Sequence, residues 1–112
     1  MQANTDEKKV TLFKGDCIAF MRTMKSGSVD AIVTDPPYLY LNRKEQKLER
    51  DFDEDAFFTE AKRILKKNGL ILCFGRGESF YRWNRIMEDN GLKFKEEVIW
   101  AKRVASSPVN AL

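Results

Sequence analysis

Short apolar runs alternate with stretches of amphipathic helical spacing along this chain. The apolar runs predict four β-strands, over residues 10–13, 30–34, 70–74 and 94–100. The amphipathic stretches predict three helices, over residues 17–24, from Asp53 or Asp55 to Asn68-Gly69, and over residues 78–89. Strands and helices therefore alternate, which is typical of a parallel sheet with right-handed crossovers.

Polar residues mark the ends of the predicted helices. Asp16 is expected to cap the start of the first helix, because a carboxylate there accepts the free amide protons of the first turn. Asn68-Gly69 is expected to close the second helix as a left-handed C-cap, and Asn90-Gly91 is expected to close the third helix. The apolar faces of the first two helices predict a core of Ile18, Met21, Phe57, Ala61, Ile64 and Leu65, with Phe20 as a further candidate.

The element order predicts an α/β fold, a parallel sheet with flanking helices. Residues 30–34 and 70–74 are almost continuously apolar, so we expect strands that are buried on both faces. The folded part is expected to cover residues 10–103, between a flexible N-terminus (1–9) and an unstructured tail (104–112). A chain of 112 residues allows one domain at most.

Composition narrows the classes of function. The chain contains no histidine, which excludes a Ser-His or Cys-His nucleophile pair. Its two cysteines, Cys17 and Cys73, stand in apolar settings and are expected to be buried thiols of a reducing compartment. No metal site and no membrane span are predicted, and we expect a cytoplasmic protein. A net charge of +3 permits nucleic-acid binding without arguing for it.

The residues that suggest chemistry are Asp35-Pro36-Pro37-Tyr38, which follow a predicted strand. Ligands of open parallel sheets bind beyond the carboxyl ends of the strands. The prolines fix φ and remove two backbone donors, which leaves a rigid set of acceptors beside an aromatic ring. Such a set suits a planar group with an exocyclic amino group. The alternative is a turn that simply ends the strand.

The chemistry of the adenine amino group explains why rigid acceptors are useful. Its lone pair is delocalised into the ring, so the nitrogen is a poor nucleophile. If Asp35 and the Pro36 carbonyl accept both amino hydrogens, the nitrogen moves toward tetrahedral geometry and can attack a sulfonium methyl in line. Orientation of this kind can lower a barrier by roughly 7–11 kcal/mol.

Several segments in register resemble one enzyme family. They are Gly15-Asp16-Cys17, residues 28–38, residues 61–69 with the apolar run that follows, and residues 98–102. Together they are similar to the beta group of S-adenosylmethionine-dependent DNA amino-methyltransferases, over about residues 10–103. The resemblance implies a partial Rossmann-like methyltransferase fold, double-stranded DNA as partner and S-adenosylmethionine as cofactor.

The resemblance also implies roles for individual residues. Asp35 and Pro36 would hold the target amino group, Tyr38 would stack on a base flipped out of the duplex, and Pro37 belongs to the same catalytic motif. Asp16 and Cys17, together with Asp35, would contact the cofactor. The aspartate that opens the motif favours N6 of adenine over N4 of cytosine, which remains an alternative. Residues 39–52 are either a segment that closes over the base or a solvated loop.

One expected family feature does not match. The methionine-binding loop of the family has a Phe-x-Gly-x-Gly pattern, whereas Phe74-Gly75-Arg76-Gly77 has arginine at the first glycine position and follows a different strand. We expect Gly75-Arg76-Gly77 to be a tight turn from strand to helix. The chain therefore resembles the first part of a longer enzyme. It is expected to self-associate or to need a complementing fragment, and a non-catalytic remnant that binds nucleic acid or a partner chain is the alternative function.

Overall fold

The computed structural model describes residues 9–37 and 52–103. The elements follow the chain in this order: α1 (Cys17–Arg22), β1 (Val29–Thr34), α2 (Glu54–Ile64), β2 (Leu65–Cys73) and α3 (Gly77–Asp89). Tyr38 and the segment 39–51 lie outside the described residues, as do the predicted flexible N-terminus, apart from Lys9, and the predicted tail.

β1 and β2 pair in parallel, which confirms the predicted α/β class. Ile32 lies opposite Ile71, Val33 opposite Leu72 and Thr34 opposite Cys73. Because α2 precedes β2 directly, it lies on the crossover between the two parallel strands. The carboxyl ends of both strands consequently meet at one edge of the sheet, and their amino ends meet at the other.

The helices build a core on one face of this sheet. Phe58 and Ala61 of α2 are completely buried, and Trp83 of α3 is 1% exposed. Ile32 and Ile71 pack against this cluster from the strands. The six residues predicted for the core are buried, although Leu65 belongs to β2 rather than to the helix. The further candidate, Phe20, is only half-buried and stacks on Phe13. Phe58 was not predicted, because it directly follows Phe57 and so lies outside the apolar positions that helical spacing selects. Its burial shows that the apolar face of α2 is wider than that spacing indicates.

Two of the predicted helix ends are confirmed by the contacts of their capping residues. Asp16 accepts hydrogen bonds from the amides of Ile18 and Ala19. Asn90-Gly91 closes α3: Gly91 has a φ of +89°, and the amides of Gly91 and Leu92 donate to the carbonyls of Glu88 and Met87. This is the Schellman arrangement. Asp53, one of the two proposed starts of the second helix, caps α2 through the amide of Ala56.

The predicted C-cap at Asn68-Gly69 is wrong. α2 ends at Ile64, and the chain enters β2 at the next residue. Leu65 pairs with Val29 of β1, while the Gly27 and Ser28 amides donate to the carbonyls of Arg63 and Ile64. Pairing with a distant strand therefore ends the helix before its local cap signal is reached. α1 is also two residues shorter than predicted and ends at Arg22.

Residues 10–13 and 94–100 do not form the predicted strands. A strand needs a hydrogen-bonded neighbour, and within the described ranges β1 and β2 pair only with each other. The apolar side chains of both segments are largely exposed, Leu12 by 90% and Val98 by 81%. The strands are also buried on one face rather than both, since Val33 is 68% exposed.

Candidate active site

The candidate site begins at the carboxyl end of β1. The Phe74 amide donates to the Thr34 carbonyl at 2.9 Å, so the two strands stay paired up to the residue that precedes Asp35. Burial then alternates, with Asp35 exposed, Pro36 buried and Pro37 half-buried. The buried proline fixes the backbone against the protein, while Asp35 remains accessible to solvent. Three of the four predicted catalytic residues are thus placed, and Tyr38 lies outside the described residues.

The Cys73 thiol, at the carboxyl end of β2, has a pKa that is shifted by its surroundings. Burial, together with the negative charge of Asp35, raises the pKa of the Cys73 thiol to about 12. The thiol is therefore protonated near neutral pH and does not act as a nucleophile. Cys73 ends β2 opposite Thr34, the residue before Asp35, so the thiol and Asp35 both lie at the joint carboxyl end of the two strands.

Asp16 and Cys17, the predicted cofactor contacts, lie at the start of α1. The Asp16 carboxylate spans 3.4 Å to the Ile18 amide and 3.3 Å to the Ala19 amide, and its side chain is exposed. The Cys17 thiol is free and exposed, which corrects the prediction of a buried residue. Partial desolvation and the charge of Asp16 raise its pKa. Asp16 therefore caps a helix, and a cofactor role for this pair remains a prediction.

Gly75-Arg76-Gly77 forms the expected turn from β2 into α3. A Cβ atom at Gly75 would lie 3.2 Å from the Phe80 Cα, so a larger residue would push against the helix backbone. Gly77 has a φ of +57°, a conformation that side chains with a Cβ disfavour. These glycines serve close packing and chain reversal at the same edge as Asp35.

A charged cluster that sequence reasoning missed fixes the start of α2. The Glu54 carboxylate accepts three hydrogen bonds from Arg82, the shortest at 2.7 Å, and one of 2.7 Å from the Trp83 indole. Burial works to raise the pKa of Glu54, but the hydrogen bonds from Arg82 and Trp83 outweigh it and hold the pKa low. Glu54 is 28 positions from Arg82 and 29 positions from Trp83 in the sequence, so no local sequence pattern predicts the cluster.

The described residues were assessed for metal-ligand groups and for membrane-spanning helices. Across residues 9–37 and 52–103, histidine, cysteine and carboxylate side chains form no group of three or more that could hold a metal ion. No helix in the same part of the chain has the length and apolar character that crossing a bilayer requires.

Comparison with known proteins gives the family. A family model described as DNA methylase matches residues 29–111. The Type II methyltransferase M.HinfI of Haemophilus influenzae is 34% identical over 124 residues, which cover 91% of this chain and 34% of the relative. The Type II methyltransferase M2.MboI of Moraxella bovis is 25% identical over 117 residues, which cover 88% of this chain and 43% of that protein.

The chain thus spans between about a third and two fifths of the length of these curated relatives. No solved structure matches it. The family match covers most of the chain and includes the strand that carries Asp35-Pro36-Pro37. The chain therefore belongs to the family of DNA amino-methyltransferases.

Proposed function

We propose that this chain forms the base-accepting edge of a methyltransferase. The reaction moves a methyl group from S-adenosylmethionine to the N6 amino group of an adenine flipped out of duplex DNA. The supporting observation is the exposed Asp35 next to the buried Pro36, at the joint carboxyl end of two parallel strands. The proposal extends the printed names of the relatives, which are methyltransferases, to this chain.

In the proposed reaction, the residues of this edge orient the amino group. Asp35 and the Pro36 carbonyl accept its two hydrogens, and the ring of Tyr38 stacks on the extruded base. These contacts would aim the nitrogen lone pair at the electrophilic methyl group that S-adenosylmethionine would supply when bound. The methylated nitrogen carries a positive charge, and its extra proton leaves to Asp35 or to water.

Asp16, Cys17 and Asp35 are the residues that would hold S-adenosylmethionine, which supplies an electrophilic methyl group when bound. The acceptors present here fit the amino and hydroxyl groups of its adenosine part. The described residues contain no Phe-x-Gly-x-Gly loop for its methionine part. We therefore expect the isolated chain to bind S-adenosylmethionine weakly or not at all, as titration calorimetry would show.

Adenine is proposed over cytosine because aspartate, not serine, opens the motif. Duplex DNA is the proposed partner, and the cytoplasm, where DNA and free thiols coexist, is the proposed location.

A second partner is proposed for the sheet itself. Its open face, with Val33, Leu70 and Leu72 at least 50% exposed, would be covered by another copy or by a complementing segment.

The decisive experiment uses a chimera in which residues 10–103 replace the matching segment of the Haemophilus influenzae relative. Methyl transfer to duplex DNA is measured for the chimera, its Asp35→Ala variant and an Asp30→Ala control on the same strand. We expect Asp35→Ala to lose transfer by about a hundredfold or more while cofactor binding stays unchanged. Near-normal turnover in Asp35→Ala, or a folded chimera without activity, would contradict the proposal.

The role of Tyr38 is tested in the same chimera. Stacking of a base on an aromatic ring is worth about 1–3 kcal/mol, and extrusion of the base costs a few kcal/mol. We expect Tyr38→Ala to reduce base flipping, followed by 2-aminopurine fluorescence, while Tyr38→Phe keeps most of it. If Tyr38→Ala flips and methylates normally, Tyr38 is a turn residue without a role in base binding.

A further inference from the structure

A basic cavity lies at the amino edge of the sheet, opposite the candidate active site. It has a volume of about 460 Å³, and four lysines line it: Lys62, Lys66, Lys67 and Lys93. The remaining lining residues are Leu65, Asn68, Gly69, Gly91 and Leu92. At a rise of about 3.3 Å per residue, the chain from Asp30 to Asp35 separates the two edges by roughly 16 Å.

An irregularity in β2 builds one wall of this cavity. Between the pairs Val29–Leu65 and Ala31–Leu70, β1 advances by two residues and β2 by five. Residues 66–69 therefore leave the regular ladder. A Cβ atom at Gly69 would lie 2.9 Å from the Leu65 side chain and 3.0 Å from the Asp30 carbonyl, so only glycine fits there without movement.

The end of α3 builds the other wall. The positive φ of Gly91 turns the chain so that Leu92 and Lys93 face the end of α2. A Cβ atom at Gly91 would lie 3.8 Å from the Lys62 Nζ, which shows how closely this ammonium group approaches the turn. The end of α2 with the start of β2, and the turn after α3, thus bring their lysines to one cavity.

Lysines near helix ends ordinarily interact with free carbonyl groups and the helix dipole. Here several of those carbonyls are already paired with backbone amides. Leu65 donates to Ala61, while Gly27 and Ser28 donate to the last two carbonyls of α2. The Schellman contacts satisfy the end of α3 in the same way. The lysines are therefore not needed to close these helices.

The charge around this cavity is largely uncompensated. Lys66 pairs with Asp30 at 2.9 Å. Lys62, Lys67 and Lys93 form no ion pair with any residue that the structure describes, and no carboxylate is among the residues that line the cavity. Arg63, by contrast, is fully engaged, since its guanidinium binds Glu60 and the carbonyls of Met21 and Met24.

We propose that this cavity is a phosphate-binding site, separate from the carboxyl edge that holds Asp35. Three unpaired ammonium groups around one cavity match a ligand with several negative charges close together, which is the chemistry of linked phosphates. Lysine recognises phosphate as a flexible point charge and does not read sequence. The phosphates are those of a nucleic-acid backbone or of a free polyphosphate.

The test measures binding of a short labelled DNA duplex to the 112-residue chain by fluorescence anisotropy, with inorganic tripolyphosphate as competitor. The variant replaces Lys62, Lys67 and Lys93 with alanine. A matched control replaces the exposed Lys9, Lys14 and Lys25 with alanine and so removes the same amount of charge. We expect the variant to lose at least about tenfold in affinity and the control less than about twofold.

Salt dependence sharpens the result. Each phosphate contact contributes about 0.9 to the slope of log affinity against log salt, so the cavity variant should lower that slope by about 2.7. If tripolyphosphate does not displace the DNA, the ligand of the cavity is the phosphate backbone of DNA. If tripolyphosphate displaces the DNA and also binds directly, the ligand is a free polyphosphate. Equal losses in variant and control, or no binding of either ligand, overturn the proposal.

Two controls separate this site from other effects. Lys67→Ala alone, with a thermal melt for comparison, tests the cavity without removing three side chains; we expect a slope lower by about 0.9. Val10→Ala, exposed and outside the cavity, should leave phosphate binding unchanged, and the cavity shares no lining residue with the carboxyl edge at Asp35. A failed phosphate test would thus leave the proposed methyl transfer untouched, and failed methyl transfer would leave this site standing.

Discussion

The two faces of the β1–β2 sheet carry similar residues in different surroundings. On one face, Ile32 and Ile71 pack beneath the helices, against side chains such as Phe58 that are completely buried. On the other, Val33 is 68% exposed and Leu72 51% exposed, although they occupy neighbouring positions on the same strands. The sequence does not distinguish the faces, since both consist of apolar residues.

The difference shows which part of the fold this chain completes with its own residues. Parallel sheets are normally covered on both faces. The described helices cover one face, and the relatives are more than twice as long as the part of them that this chain matches. An open apolar face next to a candidate active site therefore favours a partner for the sheet.

The largest expected effect compares one substitution on each face. Phe58→Ala removes a fully buried ring and should lower the free energy of unfolding by about 3–5 kcal/mol. Leu72→Ala, on the open face, should cost less than about 1 kcal/mol in the monomer. Urea titration measures both, with Phe58→Leu as an intermediate if Phe58→Ala does not fold. Equal losses would show that the open face is buried in solution.

The packed face also depends on the charged cluster at the start of α2. Glu54→Gln leaves Arg82 without its anion and should cost about 1–3 kcal/mol at neutral pH. Because the pKa of Glu54 is lowered on folding, its stabilisation is present above the unfolded value of about 4.3 and is lost as the pH falls through the folded value. The free energies of unfolding of the unsubstituted chain and of Glu54→Gln, measured by urea titration, should differ at neutral pH and converge at acidic pH. A constant difference would exclude this carboxylate as the cause.

The open face should drive association. We expect sedimentation of the chain to show concentration-dependent self-association, because an exposed apolar face and unpaired strand edges recruit partners. Val33→Lys with Leu72→Lys should weaken it by about tenfold or more, equivalent to about 1.4 kcal/mol. Val10→Lys, exposed but outside the sheet, is the control. A stable monomer at every concentration would contradict the expected association.

Local chemistry explains which features could be predicted from sequence. The caps at Asp16, Asp53 and Asn90-Gly91 depend on residues within one helical turn, and each was predicted, Asp53 as one of two choices. The end of α2 could not be predicted, because pairing with β1 decides it. Residues 10–13 and 94–100 have strand character without a partner among the described residues, so pattern alone was misleading there.

The candidate site follows the same rule. Asp35 and Pro36 could be singled out because both the motif and its position after a strand are local, and their roles stay predictions. The Glu54 cluster and the lysine cavity were not, because each joins residues from elements distant in sequence. Lys62, Lys66 and Lys67 are visible as a basic cluster, but Lys93 joins them only through the turn at Gly91.

The smallest expected effect concerns the two cysteines. Iodoacetamide should label the exposed Cys17 faster than Cys73, whose pKa of about 12 leaves only about one thiolate in ten thousand near pH 8. Asp35→Asn removes the charge that raises this pKa, so labelling of Cys73 should accelerate modestly. Mass spectrometry over time follows both sites. An unchanged Cys73 rate would show that the Asp35 charge does not reach the thiol.

The central claim, that the carboxyl edge presents an amino group of DNA for methylation, is tested most directly by analysing the product. DNA incubated with the chimera and S-adenosylmethionine is digested to nucleosides, which are separated and identified by mass spectrometry. We predict N6-methyladenine. N4-methylcytosine would keep the amino-group mechanism and overturn the choice of base. A methyl group on a ring carbon, or none from a folded and cofactor-binding chimera, would contradict the account.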